Sequence, residues 1–160
     1  MTAFRFLALC SALALIGPPA VSEVPAASGK RADPQKVARL YAGKTDLWGG
    51  DCGGGIYFSP DMQARAWCAA SSTAFGAGRW SVDSQGRLCH TLRWYWPDEG
   101  TPGAGKAERS CVEHAVDGRG RIWRRWPGDP EWWRMTNTQR PVSGYKFSRQ
   151  VSAARAAAGL

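Results

Sequence analysis

Four cysteines, Cys52, Cys68, Cys89 and Cys111, constrain this chain more than any other residues, because each lies in or beside a run with strand character. Residues 52 to 68 read as a hairpin: Gly55-Ile56-Tyr57-Phe58, a turn at Ser59-Pro60-Asp61, then Met62-Gln63-Ala64-Arg65-Ala66-Trp67. If Phe58 faces Met62 across a three-residue loop, Ile56 faces Ala64 and Cys52 faces Cys68. Cys89 and Cys111 fall in Arg87 to Trp96 and Ala107 to Val116, two runs separated by the loop from Pro97 to Lys106, and they too fit as cross-strand neighbours. The expected bridges are Cys52 with Cys68 and Cys89 with Cys111, each removing about 2–4 kcal/mol of unfolded-state freedom. None of the four lies in a Cys-x-x-Cys pair, so neither a metal site nor a cofactor is expected.

This even count rests on removal of a fifth cysteine, Cys10. Residues 1–22 carry Arg5, the apolar run Phe6 to Ile16 and a break at Gly17-Pro18-Pro19. They read as a signal peptide, with small residues at Ala20 and Ser22 for cleavage and a second candidate cut at Val24-Pro25-Ala26. Leu9, directly before Cys10, is wrong for lipidation at that cysteine. No apolar run reaches the roughly 18 residues of a membrane-spanning helix. The chain is therefore expected in the periplasm or secreted, where disulfides persist.

In 160 residues there is room for one core. Nine Trp, 19 Gly and 10 Pro suit short strands and turns rather than a helix bundle. After a flexible leader at 23–32, one short helix is expected: Asp33 caps it, Pro34 suits its first turn, Val37, Leu40 and Tyr41 make one face, and Gly43 stops it. The period then changes to two. Strands are expected near 45–48, 54–58, 64–69, 77–82, 87–96, 107–116, 121–126 and 131–135, joined by turns such as Asp83-Ser84-Gln85-Gly86 and Asp117-Gly118-Arg119-Gly120. The fold class is all-β: an antiparallel meander of about eight strands forming a small barrel or open sandwich, spanning 33–149, with a loose or weakly helical tail at 150–160.

Leu40-Tyr41-Ala42-Gly43-Lys44-Thr45 with Trp48, Tyr57-Phe58 with Asp61, Gly78-Arg79-Trp80, Gly86-Arg87-Leu88-Cys89 with Trp94, and Cys111-Val112-Glu113-His114 together form an ordered pattern over residues 36 to 135. In these it resembles the bacterial exported family catalogued as domain of unknown function 995. Cys52, Cys68 and the Arg- and Trp-rich C-terminal segment depart from that pattern. The resemblance implies compartment and fold, and carries over no catalytic residues.

Candidate chemistry is sparse. In the Cys89–Cys111 register His90 faces Ser110 and His114 faces Gly86, on the side of Leu88, Leu92, Trp94, Val112 and Val116. Four positions separate the two histidines, roughly 13 Å, too far for a shared metal. On the opposite side Arg87 sits beside Glu113 and Arg109 beside Thr91. Gly100 to Ala107 nearly spells a phosphate-binding loop, but Ala107 stands where a hydroxyl is needed and no amphipathic helix follows. No nucleophile elbow is present, and Glu113 with Asp117 is no more marked as an acid–base pair than any other two carboxylates. The chain is therefore read as a non-enzyme.

Charge gives the clearest asymmetry. Residues 23 to 118 hold 11 basic and 11 acidic side chains, whereas residues 119 to 160 hold 9 basic and 2 acidic. Within that last quarter Arg121, Trp123, Arg124, Arg125 and Trp126, then Trp132 and Arg134, alternate across an expected hairpin turn. In a strand Arg121, Trp123 and Arg125 share one side, and Ile122, Arg124 and Trp126 the other. Guanidinium beside aromatic rings suits an anionic envelope polymer or headgroup, or an acidic exported protein. Nucleic acid fits the chemistry, but an exported chain is not expected to meet it. The expected function is a non-catalytic domain binding such an envelope component through this hairpin. The alternatives are a carrier holding a small apolar ligand among Phe58, Trp80, Trp94 and Trp96, and an inhibitor of an exported protein.

Overall fold

A computed structural model describes residues 30–99 and 101–160; the expected signal peptide and most of the leader lie outside them. Eleven strands and two helices follow in the order β1 (Lys30–Arg31), α1 (Pro34–Tyr41), β2 (Lys44–Leu47), β3 (Gly55–Phe58), β4 (Gln63–Trp67), β5 (Phe75–Val82), β6 (Leu88–Trp96), β7 (Gly103–Ala104), β8 (Glu108–Val116), β9 (Ile122–Arg125), β10 (Trp133–Arg134), β11 (Val142–Ser143) and α2 (Ser148–Ala157). The strands pair antiparallel in the order β10-β9-β8-β6-β5-β4-β3-β2-β11, a meander curled into a half-barrel. Two short strands fill its gaps. β1 pairs with Ala115 and Val116, and β7 with Tyr95 and Trp96, in each case past the end of the longer neighbour.

The curl has a local cause at Gly78. A Cβ there would lie 1.8 Å from the Thr91 carbonyl oxygen, so only glycine lets β5 and β6 approach this closely. The concave side collects Ile56, Phe58, Ala64, Ala66, Trp80, Leu88 and Leu92, and α1 plugs it with Val37 and Tyr41. Asp33 caps α1 by accepting from the Lys36 amide at 2.9 Å, and Pro34 opens it. Gly43, at φ 73°, turns the chain into β2.

Both expected disulfides are present. Cys89 stands directly opposite Cys111, with Leu88 opposite Val112 and His90 opposite Ser110. The β3–β4 register differs from the expected one by two residues: Phe58 pairs with Ala64 and Ile56 with Ala66. The three-residue loop is Pro60-Asp61-Met62, closed by the Ser59 amide donating to the Gln63 carbonyl at 2.8 Å, with Met62 in the left-handed region at φ 65°. An even shift leaves every side chain on its expected face. Cys52 reaches Cys68 from a 3₁₀ turn at Gly50–Cys52 rather than from a strand position.

Two boundaries are corrected. The end of the expected leader is part of the sheet: Lys30 and Arg31 pair with β8, and Ala32 is buried with its amide donating to the His114 carbonyl at 3.0 Å. Of the two states expected for the tail, loose or weakly helical, it takes the helical one and is docked rather than loose. α2 lies on the convex side, where Val151, Ala154 and Ala158 pack on Phe75 beside Trp67, Ala77, Tyr95 and Tyr145. Its alanines are small enough to let a helix lie flush on the sheet.

Candidate functional site

The two ends of the open sheet meet over a polar chain. Tyr41, from the plug helix, bonds its hydroxyl to His114 Nε2 at 2.9 Å. Beside them Arg124 of β9, opposite His114 on β8, reaches across to β2, where its Nη1 donates to both carboxylate oxygens of Asp46 at 3.0 and 3.2 Å. Arg124 and Asp46 are 78 residues apart in sequence, so no local pattern announces this pair.

Burial sets the protonation of the chain. It holds Tyr41 well above the ordinary phenol range and pushes His114 down to about 4, with the nearby Arg124 charge adding to the second effect. It also raises Asp46 above the usual carboxylate value, against the pull of Arg124. Arg124 itself is raised: its burial is outweighed by Asp46 and Tyr41. At neutral pH the chain is an ion pair above a neutral Tyr–His pair. His114 Nδ1 is buried without a hydrogen-bond partner among the described residues. Tyr41 and His114 are sealed at 0% and 2% exposure, whereas Arg124 and Asp46 keep 24% and 16% of their side-chain surface open.

That open surface faces a cleft. One hollow of about 390 Å³ lies between Asp46, Leu47, Trp48 and Arg124 on one side and Thr138, Gln139 and Arg140 on the other. A second, of about 100 Å³, adjoins it and is walled by Trp126, Trp133 and Val112. Trp133 stands opposite Arg124, and Trp126 follows two residues along the same face, so the guanidinium is flanked by two exposed rings. Arg140 at the rim is in no ion pair with a described residue.

The alternation expected for the hairpin therefore holds, and it divides the candidate residues. Arg124 and Trp126 belong to the cleft. On the convex side Arg121 pairs with Asp117 at 2.7 Å, and Trp123, buried at 2% exposure, donates its indole N–H to the same carboxylate at 2.9 Å. Burial works against the charge on Asp117, but these bonds outweigh it and hold the carboxyl below its usual range. Arg125 pairs with Glu113 at 2.7 Å and lies 4.5 Å from the Trp132 ring centroid, and Arg134 stands opposite Trp123. The seven hairpin residues thus form no single surface. Arg87, expected beside Glu113, bonds Asp83 instead at 2.7 Å.

Phe58 and Trp80, expected to line a ligand cavity, are packed core at 1% and 3% exposure with their ring centroids 5.5 Å apart. Sequence reasoning missed Asp46 and the segment 138–140, which enter the site only through the curl of the sheet. Among the described residues no group of three His, Cys, Asp or Glu could hold a metal ion.

Fold and site define a disulfide-bridged antiparallel half-barrel, plugged by a helix and open on one side to an aromatic cleft. The chain belongs to the family described as Protein of unknown function (DUF995), whose profile matches residues 8–152. No curated protein and no solved structure matches it. Its two disulfides suit an oxidising compartment, and no helix among the described residues is long and apolar enough to cross a membrane.

Proposed function

We propose that this protein is an exported, non-catalytic binding domain of the periplasm or cell surface. It takes an anionic envelope component at the cleft side of the Arg/Trp hairpin. The observation that carries this reading is the placement of Arg124 between exposed Trp126 and Trp133, where with Leu47 and Trp48 it lines a hollow of about 390 Å³. That size is within the roughly 300–1,000 Å³ of small-molecule sites. Asp46 cancels the charge of Arg124, so the cleft's net positive charge comes from Arg140. The ligand suited to it has a flat ring or apolar body for the indoles and an anionic group for the rim. Tyr41 and His114 lie beneath, out of reach of a ligand, and act as a floor rather than as acid and base.

Trp126→Ala and Arg140→Gln change exposed residues and test the reading directly. In a tryptophan-fluorescence titration with uronic-acid oligosaccharides and with short-chain phosphatidylglycerol, each variant is expected to bind about tenfold more weakly than wild type. The Arg140→Gln loss should shrink in high salt. Binding that is unchanged in both variants, or no binding of either probe, would overturn the proposal. A carrier of a wholly apolar ligand is the second reading, favoured by a hollow of about 310 Å³ lined by Trp48, Trp94 and the Cys52–Cys68 bridge. It predicts a non-covalent adduct in native mass spectra that survives high salt.

A further inference from the structure

Residues 23–118 carry no net charge along the sequence, but the fold sorts their charges by face. In the paired register Arg65, Ala77 and Arg93 stand in one row across β4, β5 and β6. Gln63, Arg79, Thr91 and Arg109 stand in the next row, across β4, β5, β6 and β8. Directly opposed residues, and residues two apart along a strand, project to the same side. All four arginines therefore lie on the convex face. With strands about 4.8 Å apart and about 6.8 Å per two residues, consecutive members of the zigzag Arg65, Arg79, Arg93, Arg109 are spaced about 8 Å at their Cα atoms.

Within the described molecule the charge of Asp61 acts on Arg65 at one end of this row, and Arg79, Arg93 and Arg109 are in no ion pair with a described residue. Arg65 donates to the Ala64 carbonyl at 2.9 Å, and Arg79 lies 3.2 Å from the Gln63 side-chain amide; none of the four is in an ion pair with a described residue. Arg79, Arg93 and Arg109 are exposed. Glu108 stands opposite Leu92 and so faces the other way. Glu113, on the convex side, is four residues from Arg109, roughly 13 Å, and is held by Arg125. Asp61, at the tip of the β3–β4 hairpin, is engaged by Ser59. Arg155 of α2 extends the row: it shares with Arg65 a hollow of about 240 Å³ floored by Phe75 and Tyr95. Like charges at this spacing repel, and no ion pair with a described residue offsets Arg79, Arg93 or Arg109.

We propose that the convex face binds a linear polyanion, a chain bearing phosphate or carboxylate groups at regular intervals, laid across β4, β5, β6 and β8. Arginine suits both groups because its planar fork makes paired hydrogen bonds. A flexible chain can follow the curved row, whereas a flat bilayer would meet only its crest. Of the residues between the arginines, Ala77 is partly covered by the α2 cluster, and Thr91 and Gln63 are too short or too polar to insert among acyl chains. This surface is separate from the cleft and does not depend on what the cleft holds.

The test measures binding of the full chain to long-chain inorganic polyphosphate, to polygalacturonate, and to vesicles of three parts phosphatidylcholine to one part phosphatidylglycerol, at about 50 and about 300 mM salt. The triple variant Arg79→Gln, Arg93→Gln, Arg109→Gln is compared with Lys106→Gln, Arg119→Gln, Arg149→Gln, which removes the same charge from exposed positions elsewhere. The first triple should bind polymer at least about tenfold more weakly at low salt, with the slope of log K against log salt reduced by about two, while the second stays near wild type. The polymer bound more tightly identifies the anionic group. Equal losses in the two triples, preference for vesicles, or no polymer binding by the wild type would overturn the proposal. Trp126→Ala, which disables the cleft, should leave polymer binding unchanged.

Discussion

His114 shows how one buried side chain sets a solution property. Unfolded, it takes up a proton near the ordinary histidine value of about 6.5; folded, burial and the Arg124 charge delay this until about 4. The unfolded chain therefore binds more protons between these values, and stability is full above the upper one and falls as pH drops toward the lower. The expected loss from this group is up to about 3 kcal/mol. His90, also held down by burial, adds in the same direction. Asp46, raised by burial, acts in the opposite sense near the acid end and blunts the effect. Urea denaturation at pH 7 and pH 5 should show His114→Gln flattening most of the wild-type difference, and His90→Gln less of it. Equal slopes in wild type and His114→Gln would mean that the Tyr41–His114 contact does not govern acid sensitivity.

The strands were legible wherever alternation and turn chemistry agreed, as in β5, β6, β8 and β9. The β3–β4 loop was misplaced by one residue because its left-handed position is held by Met62, where glycine or asparagine is the usual signal. β1, β7, β10 and β11 are two residues long, too short for any period to show. Half the cleft was readable: Arg124 and Trp126 share parity, but Asp46 and residues 138–140 are brought to them only by the curl. The convex arginine row carried a signal that went unused. Arg93 and Arg109 have the parity of Cys89 and Cys111, so the disulfide register already placed them on one face; summing charges along the chain hid it. The docking of α2 escaped because its apolar residues are mostly alanine, and its packing makes a prediction. Val151→Asp should undock the helix, exposing Arg149 and Arg155 to trypsin while the half-barrel core resists. Cleavage spreading through β4 to β6 at the same rate would show that α2 is integral to the sheet.

For the whole molecule, the two disulfides close loops of 16 and 22 residues, lengths that differ little in chain entropy. Replacing either pair with serine should cost about 2–4 kcal/mol in denaturant unfolding. The Cys89–Cys111 pair should cost more, because Cys89 is at 1% exposure between central strands. A smaller loss there than at Cys52–Cys68 would contradict the central position of the β6–β8 ladder. The bridges lie in the back and flank of the half-barrel; its front is fastened differently. No ladder joins β10 to β11 among the described residues, and the Arg124–Asp46 pair spans the gap, with the chain itself crossing nearby through the 3₁₀ turn Asn137–Gln139. The molecule is therefore mechanically lopsided. Its spine is cross-linked and main-chain bonded, whereas its front is a clasp bridged by one side-chain ion pair and the crossing at 137–139. Under load or thermal breathing, the aperture there should widen while the spine keeps its shape.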